Sequence, residues 1–150
     1  MTDLILAQVQ QAFAQRARPD RENGTDSREL TADERGVLDE VLGLVWQEIP
    51  ADWWEKNAEV TSWFSPTAYC YYLPGIITTT LAGNNPNLAA ACSVLFMLDR
   101  TPNKTLWDNF FYSRWHLFNG QELAAIASWL EWLAAGKASV LDDISLTRRF

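Results

Sequence analysis

The residues that could perform acid, base or nucleophilic chemistry are few in this sequence. The chain has one histidine, His116, which lies among aromatic residues, and two cysteines, Cys70 and Cys92. A structural zinc site uses four nitrogen or sulfur ligands at short paired spacings, and these three residues do not supply one. The seven glycines are scattered and form no phosphate-binding loop. We therefore expect no metal, no cofactor and no catalytic residue, and predict that the chain is not an enzyme.

Carboxylates are the most numerous ionisable groups, and they are concentrated in one segment. The chain has 19 acidic and 12 basic residues, and so a net charge of −7. Residues 29–59 hold nine acids against two bases, Arg35 and Lys56, a difference of −7 that equals the charge of the whole chain. Neighbouring acids such as Asp39 and Glu40 point to different faces of a helix and form no catalytic dyad. A nucleic-acid site needs a basic stripe, so we expect no nucleic-acid partner.

The acidic segment has two interpretations. Net charge away from zero keeps a protein soluble whatever it binds, and solubility alone can explain the pattern. The second interpretation is a face that docks a basic protein partner, with tryptophans among the carboxylates as anchors through burial and cation–π contact. The predicted partner-binding residues are Asp33, Asp39, Glu40, Asp52, Trp53, Trp54 and Glu55.

Helices must position these groups, because apolar residues recur at helical spacing through most of the chain. A first helix is predicted over roughly 3–17, followed by a polar connection over about 18–30 that we expect to be flexible. Thr31 and Glu34 form a capping box, in which each side chain can bind the backbone N–H of the other. That box predicts a helix that ends at Pro50 and carries acidic side chains on its outer face.

A central helix is predicted over about 66–82, where the sequence is apolar on almost every side. Ser65-Pro66 predicts its start, since serine is a good N-cap and proline is tolerated in the first turn. Pro74-Gly75 lies inside it and predicts a kink or a break. A strand over 76–81 is the competing prediction, because isoleucine and threonine favour strands. A break would free backbone groups for a ligand, so the alternative function is a small-molecule-binding or enzymatic domain. The residues predicted to line that pocket are Tyr71, Tyr72, Thr78 and His116.

Other local signals predict the remaining elements. Residues 51–63 alternate carboxylates with tryptophans and indicate a short helix or a turn-rich segment. Asn85-Pro86 repeats the pattern of a cap followed by proline and predicts that a second buried helix begins there. Asn119 and Glu122 cap a long last helix, for which Gly136 is the predicted stop.

The whole pattern predicts a mainly all-α fold, a compact single-domain bundle of about six helices over residues 1–150. Its 150 residues and eight tryptophans allow a large aromatic core. Both cysteines lie in apolar stretches and are predicted to be buried free thiols, which fits a reducing cytoplasm. No apolar stretch approaches the roughly 20 residues that span a bilayer, so we expect no membrane association. The oligomeric state is left open.

Residues 63–74, WFSPTAYCYYLP, resemble the core of an uncharacterised bacterial domain-of-unknown-function family, F-S/T-P-x-A-x-x-Y-Y-L-P. The surrounding frame is also similar: Ala12-Phe13 in the first helix, Trp46 at a helix end, and Phe118-Asn119-Gly120-Gln121 opening the last helix. The resemblance implies a bacterial, cytoplasmic setting and brings no catalytic residue. Small acidic bacterial domains of this kind resemble immunity proteins, which neutralise a toxin by occupying its substrate-binding surface. The leading hypothesis is an acidic protein-binding module of that type, which blocks the basic active-site surface of a toxin or effector domain.

Overall fold

The computed structural model describes residues 2–25, 30–98, 105 and 107–141. The α-helices are α1 (Thr2–Phe13), α2 (Ala32–Asp39), α3 (Ala51–Lys56), α4 (Pro66–Ala82), α5 (Ala89–Leu98), α6 (Asn109–Trp115) and α7 (Gly120–Leu141). Short 3-10 helices lie at Arg21–Asn23, Trp46–Glu48 and Ala58–Ser62. The described residues contain no strand, only an isolated bridge between Thr25 and Phe64. The predicted all-α bundle is confirmed, with seven α-helices in the described part of the chain. No helix described there combines the length and apolar content that a membrane crossing needs.

Helix α4 lies at the centre of the fold and is buried on nearly every side. Twelve of its 17 residues are buried, and α1, α5, α6 and the 3-10 helix Trp46–Glu48 pack around it. The predicted start is confirmed, because the Ala68 N–H donates to Ser65 Oγ at 3.1 Å. Ser65 Oγ in turn donates to the Asn23 carbonyl at 2.6 Å. One serine therefore caps the central helix and ties it to the chain that precedes α2.

Helix α4 runs through Pro74 without interruption, so the predicted break and the competing strand over 76–81 are both wrong. Gly75 lies against two tryptophans instead of opening a gap. A Cβ at this position would lie 3.1 Å from the Trp46 carbonyl oxygen and 3.5 Å from Cζ2 of Trp54. The small residue is there because other elements pack closely against the helix.

Helix α2 is shorter than predicted. Its capping box is confirmed, since the Thr31 N–H donates to Glu34 Oε1 at 2.8 Å and the Glu34 N–H donates to Thr31 Oγ1 at 3.1 Å. The helix nevertheless ends at Asp39 and not at Pro50. Gly43 has a φ of +98°, a conformation that side-chain-bearing residues rarely adopt, so the chain turns there. The apolar periodicity continues beyond Asp39 because the turn is also packed on the core.

Residues 18–25, in the polar connection, make specific contacts with the core elements. The Ser65 N–H donates to the Gly24 carbonyl at 2.9 Å. Gly24 is buried, and a Cβ there would collide with the Leu42 side chain. Polar composition did not predict this anchoring. Residues 26–29 of the connection lie outside the described residues.

The start of α5 differs from the prediction because its cap comes from elsewhere in the chain. Asn85-Pro86 forms a turn, in which the Asn87 N–H donates to Asn85 Oδ1 at 3.1 Å. The helix begins at Ala89, whose N–H donates to Glu55 Oε2 at 2.7 Å. A carboxylate at a helix N-terminus stabilises free N–H groups, so α3 helps to define where α5 starts.

Helix α7 begins as predicted and ends later. The Glu122 N–H donates to Asn119 Oδ1 at 2.8 Å, and the Asn119 N–H donates to Glu122 Oε1 at 2.9 Å. The helix continues through Gly136 to Leu141, so Gly136 is not its stop. A Cβ on Gly136 would lie 3.2 Å from Cγ of Pro86, which makes this glycine another position of close contact.

Replacing Gly75 with valine should destabilise the protein by about 1–3 kcal/mol, because the side chain would overpack the contact with Trp46 and Trp54. Gly36→Ala in α2 is the matched control: nothing lies within 4 Å of its Cβ position, and alanine should add about 0.5–1 kcal/mol through helix propensity. Urea unfolding of both variants measures the difference. Equal stability of Gly75→Val and wild type would contradict this account of Gly75.

Candidate functional site

The acidic ends of α2 and α3 are joined by one hydrogen bond. Trp53 Nε1 donates to Glu40 Oε2 at 2.8 Å. Asp39 precedes Glu40, Asp52 precedes Trp53, and both aspartates are exposed. We call Asp39, Glu40, Asp52 and the half-buried Trp53 the acidic face. The structure thus joins Glu40 and Trp53, two of the residues that the sequence predicts for partner binding, and leaves their neighbours Asp39 and Asp52 exposed.

Three acids of the predicted set, Asp33, Asp39 and Glu55, differ in how far contacts within the protein engage them. Asp33 is exposed in the first turn of α2, where a negative charge favours the helix. Glu55 caps α5 through Ala89. Asp39 lies 3.8 Å from Arg21, but both side chains are more than 60% exposed, and such a surface pair contributes little to stability. Asp39 therefore remains an accessible charge.

The structure corrects the prediction for Trp54. This side chain is completely buried, whereas the adjacent Trp53 is half-buried. The two rings meet edge to face with centroids 5.3 Å apart. Adjacent residues on a helix point in different directions, so α3 turns Trp54 into the core and leaves Trp53 at the surface. Trp54 is a core residue and is not available to a partner.

The structure gives the residues of the predicted pocket different surroundings. Tyr71 and Tyr72 pack edge to face on α4, with ring centroids 4.8 Å apart. Thr78 lies farther along the helix, and its hydroxyl has no hydrogen-bond partner among the described residues. His116 is exposed at the end of α6, with Nδ1 2.7 Å from the Tyr112 carbonyl oxygen. The helix break that the predicted pocket needs is absent, because α4 is continuous through Pro74-Gly75.

A cavity of about 320 Å³ does lie beside Tyr71, and we call it the Tyr71 cavity. It is bounded by the C-terminal end of α1, the turn before α3, and α4. Six of its lining residues matter to its chemistry: Gln10, Phe13, Arg16, Trp46, Gln47 and Tyr71. The backbone N–H of Trp46 donates to the Tyr71 hydroxyl at 3.4 Å. The cavity is near the lower size limit of small-molecule sites, which is roughly 300 Å³.

Arg16 and Glu122 form a buried ion pair that sequence reasoning did not find. Arg16 Nε donates to Glu122 Oε2 at 2.7 Å, and Nη2 donates to Oε1 at 2.6 Å. Nη2 also donates to the Leu117 carbonyl at 2.9 Å. The Glu122 side chain is 1% exposed and that of Arg16 is 18% exposed. Hydrogen bonding to Glu122 raises the pKa of Arg16 above its usual value, despite partial burial. The sequence marked Glu122 only as a helix cap.

Arg114 is a second buried cation that the sequence analysis missed. Its Nη2 donates to the Phe64 carbonyl at 2.7 Å, and Nη1 donates to the Phe110 carbonyl at 3.0 Å. The guanidinium also lies over the Phe110 ring, 3.6 Å from its centroid. Cys70 Sγ donates to the Arg114 carbonyl at 3.4 Å. These contacts give Arg114 a structural role between α6 and the start of α4.

The family of unknown function DUF6714 matches residues 1–148 of the chain. The chain belongs to this family. No curated protein and no solved structure matches it. The match to DUF6714 extends over almost the whole chain. Because the function of this family is unknown, only the site itself can indicate an activity.

The two cysteines of this DUF6714 member lie in different environments. Cys70 is buried, and burial raises the pKa of its thiol to about 12, so that it stays protonated at neutral pH. Cys92 is exposed on α5, so the prediction that it is buried is wrong. Within the ranges that the structure describes, no three side chains of His, Cys, Asp or Glu are grouped so that they could hold a metal ion.

Glu122→Gln should cost about 3 kcal/mol of stability, because it keeps the shape of the cap and removes the counter-charge of Arg16. Asp39→Asn, which neutralises the exposed partner of Arg21, should cost less than about 0.5 kcal/mol. Urea denaturation at neutral pH compares the two. Similar small losses in both variants would show that the Arg16–Glu122 pair does not stabilise the fold.

Alkaline pH should destabilise the protein from about pH 9 upward. Burial raises the pKa of Cys70 from 9 to about 12 and that of Tyr72 from 10 to about 12, and it also raises the pKa of Tyr69. The native state keeps these protons while the unfolded state releases them, so stability falls by at most about 1.4 kcal/mol per pH unit and group.

Urea midpoints between pH 8 and pH 10.5 measure this dependence. Cys70→Ala should flatten this dependence near pH 9, because it removes the buried thiol. A wild-type stability that rises with pH over this range would contradict the burial of these groups.

Proposed function

We propose that this protein is a binding module whose acidic face docks a basic surface of another protein. The observation that carries the proposal is the Trp53–Glu40 hydrogen bond, which joins the acidic ends of α2 and α3. That bond holds a half-buried indole against a carboxylate, and the exposed Asp39 and Asp52 are the sequence neighbours of the two bonded residues. An aromatic ring among carboxylates is suited to lysine and arginine side chains, through ion pairing and cation–π contact.

The charge distribution supports the same role. Residues 29–59 hold the net charge of the chain, −7, and the other residues sum to zero. A net charge of this sign attracts an oppositely charged partner and raises the association rate at low salt. The face is also partly preorganised, since Glu40 is already held by Trp53. Preorganised groups lose less conformational entropy when they bind.

The most concrete form of the proposal is a bacterial immunity protein that acts in the cytoplasm. A toxin that cleaves nucleic acid carries a basic surface, because it must bind phosphates. An acidic protein face can occupy such a surface and exclude the substrate. In this role the protein needs no catalytic residue of its own.

Co-expression with the product of the neighbouring gene tests the immunity role. The protein should form a stable complex with that product and relieve any toxicity it causes. If the neighbour causes no toxicity, or if toxicity persists and no complex forms, the immunity role is wrong.

Charge reversal tests the acidic face in any such complex. The double variant Asp39→Lys, Asp52→Lys should slow association at least tenfold at low salt, and high salt should reduce the difference. The control with the same change in net charge is Asp3→Lys, Glu131→Lys, at exposed positions on α1 and α7. Stopped-flow kinetics compares the two. Equal slowing in both would assign the effect to total charge and remove the acidic face from the proposal.

A further inference from the structure

The Tyr71 cavity has polar groups that the fold leaves without partners. The Tyr71 hydroxyl accepts from the Trp46 N–H, but its own proton has no acceptor among the described residues. Tyr71 as a whole residue is 6% exposed. A buried donor without an acceptor costs free energy, which a ligand with an acceptor atom would recover.

Arg16 supplies a second donor at the same cavity. Glu122 engages its Nε and Nη2, and Leu117 also binds Nη2. Nη1 has no acceptor among the described residues, although Arg16 lines the cavity. The side-on ion pair fixes the guanidinium plane, so Nη1 is held in place.

Buried aromatic side chains and exposed glutamine side chains line different parts of the cavity. Phe13, Trp46 and Tyr71 are buried and present aromatic surface, which favours a flat ring. Gln10 and Gln47 also line the cavity, and both are exposed. Their amides can donate and accept, as the edges of a heteroaromatic ring require.

Charge decides between a neutral and an anionic ligand. The Arg16 cation is already balanced by Glu122, so an anion in the cavity would bring an uncompensated charge into a partly buried site. The chain as a whole is also negative. We infer that the Tyr71 cavity binds a small, neutral, planar ring with a carbonyl group, of the nucleobase or nicotinamide kind. The carbonyl would accept from Tyr71 and from Arg16 Nη1, while the ring packs on Phe13 and Trp46.

Titration of the full ¹⁵N-labelled chain with uracil and with nicotinamide tests this inference. At least one of the two should give saturable shifts of the Trp46 indole N–H and of the Gln47 side-chain amide. Benzoate, a flat ring of similar size with a negative charge, should bind at least tenfold more weakly. Absence of saturable shifts with both neutral rings, or equal binding of benzoate, would overturn the inference.

Two variants assign the binding to the cavity. Tyr71→Phe keeps the ring and removes the hydroxyl, so it should weaken binding about fivefold to tenfold. Tyr112→Phe makes the same change at an exposed position on α6 and should leave affinity within twofold of wild type. Should Tyr71→Phe fail to fold, Gln47→Ala at its exposed position carries the test and should weaken binding severalfold. Wild-type affinity in Tyr71→Phe, or in Gln47→Ala as its substitute, would overturn the assignment. The acidic face contributes no residue to this cavity, so the two proposals can fail separately.

Discussion

Helix α4 is surrounded by other elements, and a polar group that it carries into the interior is costly unless it finds a partner there. The Tyr72 hydroxyl lies 3.0 Å and 2.9 Å from the carbonyl oxygens of Val41 and Leu44, within donating distance of both. On another side of the helix, Trp129 Nε1 of α7 donates to Thr80 Oγ1 at 2.8 Å. Tyr72 and Thr80 thus help to specify which segments pack on the helix, while apolar area supplies most of the driving force.

Both candidate sites depend on the turn over residues 41–44, whose carbonyl oxygens at Val41 and Leu44 bind the Tyr72 hydroxyl. The turn follows α2 immediately, so its position fixes where Glu40 meets Trp53. It leads into Trp46, whose N–H donates to Tyr71 at the edge of the cavity. The acidic face and the cavity therefore depend on the same packing around α4. The acidic face presents carboxylates to solvent, whereas the cavity presents aromatic rings and hydrogen-bond donors.

Features with partners three residues apart could be predicted from the sequence, and those with distant partners could not. The caps at Thr31, Ser65 and Asn119 are visible because both partners lie within one helical turn. The cap that Glu55 provides to α5 could not be predicted from the sequence, because its acceptor and donor are 34 residues apart. The apolar periodicity likewise identified the buried face of α2, but it continued past Asp39 and so predicted a helix that is too long. The turn after Asp39 is also buried and carries similar apolar residues. The sequence shows Trp53 and Trp54 among acids, but only the orientation of α3 against the core shows that Trp54 is buried.

The ion pair between Arg16 and Glu122 also has a consequence for the order in which the chain can fold. Its partners are 106 residues apart, and long-range contacts form late because closing a long loop costs entropy. At ribosomal speeds of 5–20 residues per second, Arg16 waits roughly 5–20 seconds for Glu122 to be synthesised. During that interval the apolar side of α1 has no α7 to cover it. The nascent chain must therefore keep this apolar surface from aggregating until α7 has been synthesised, a task for which chaperones exist.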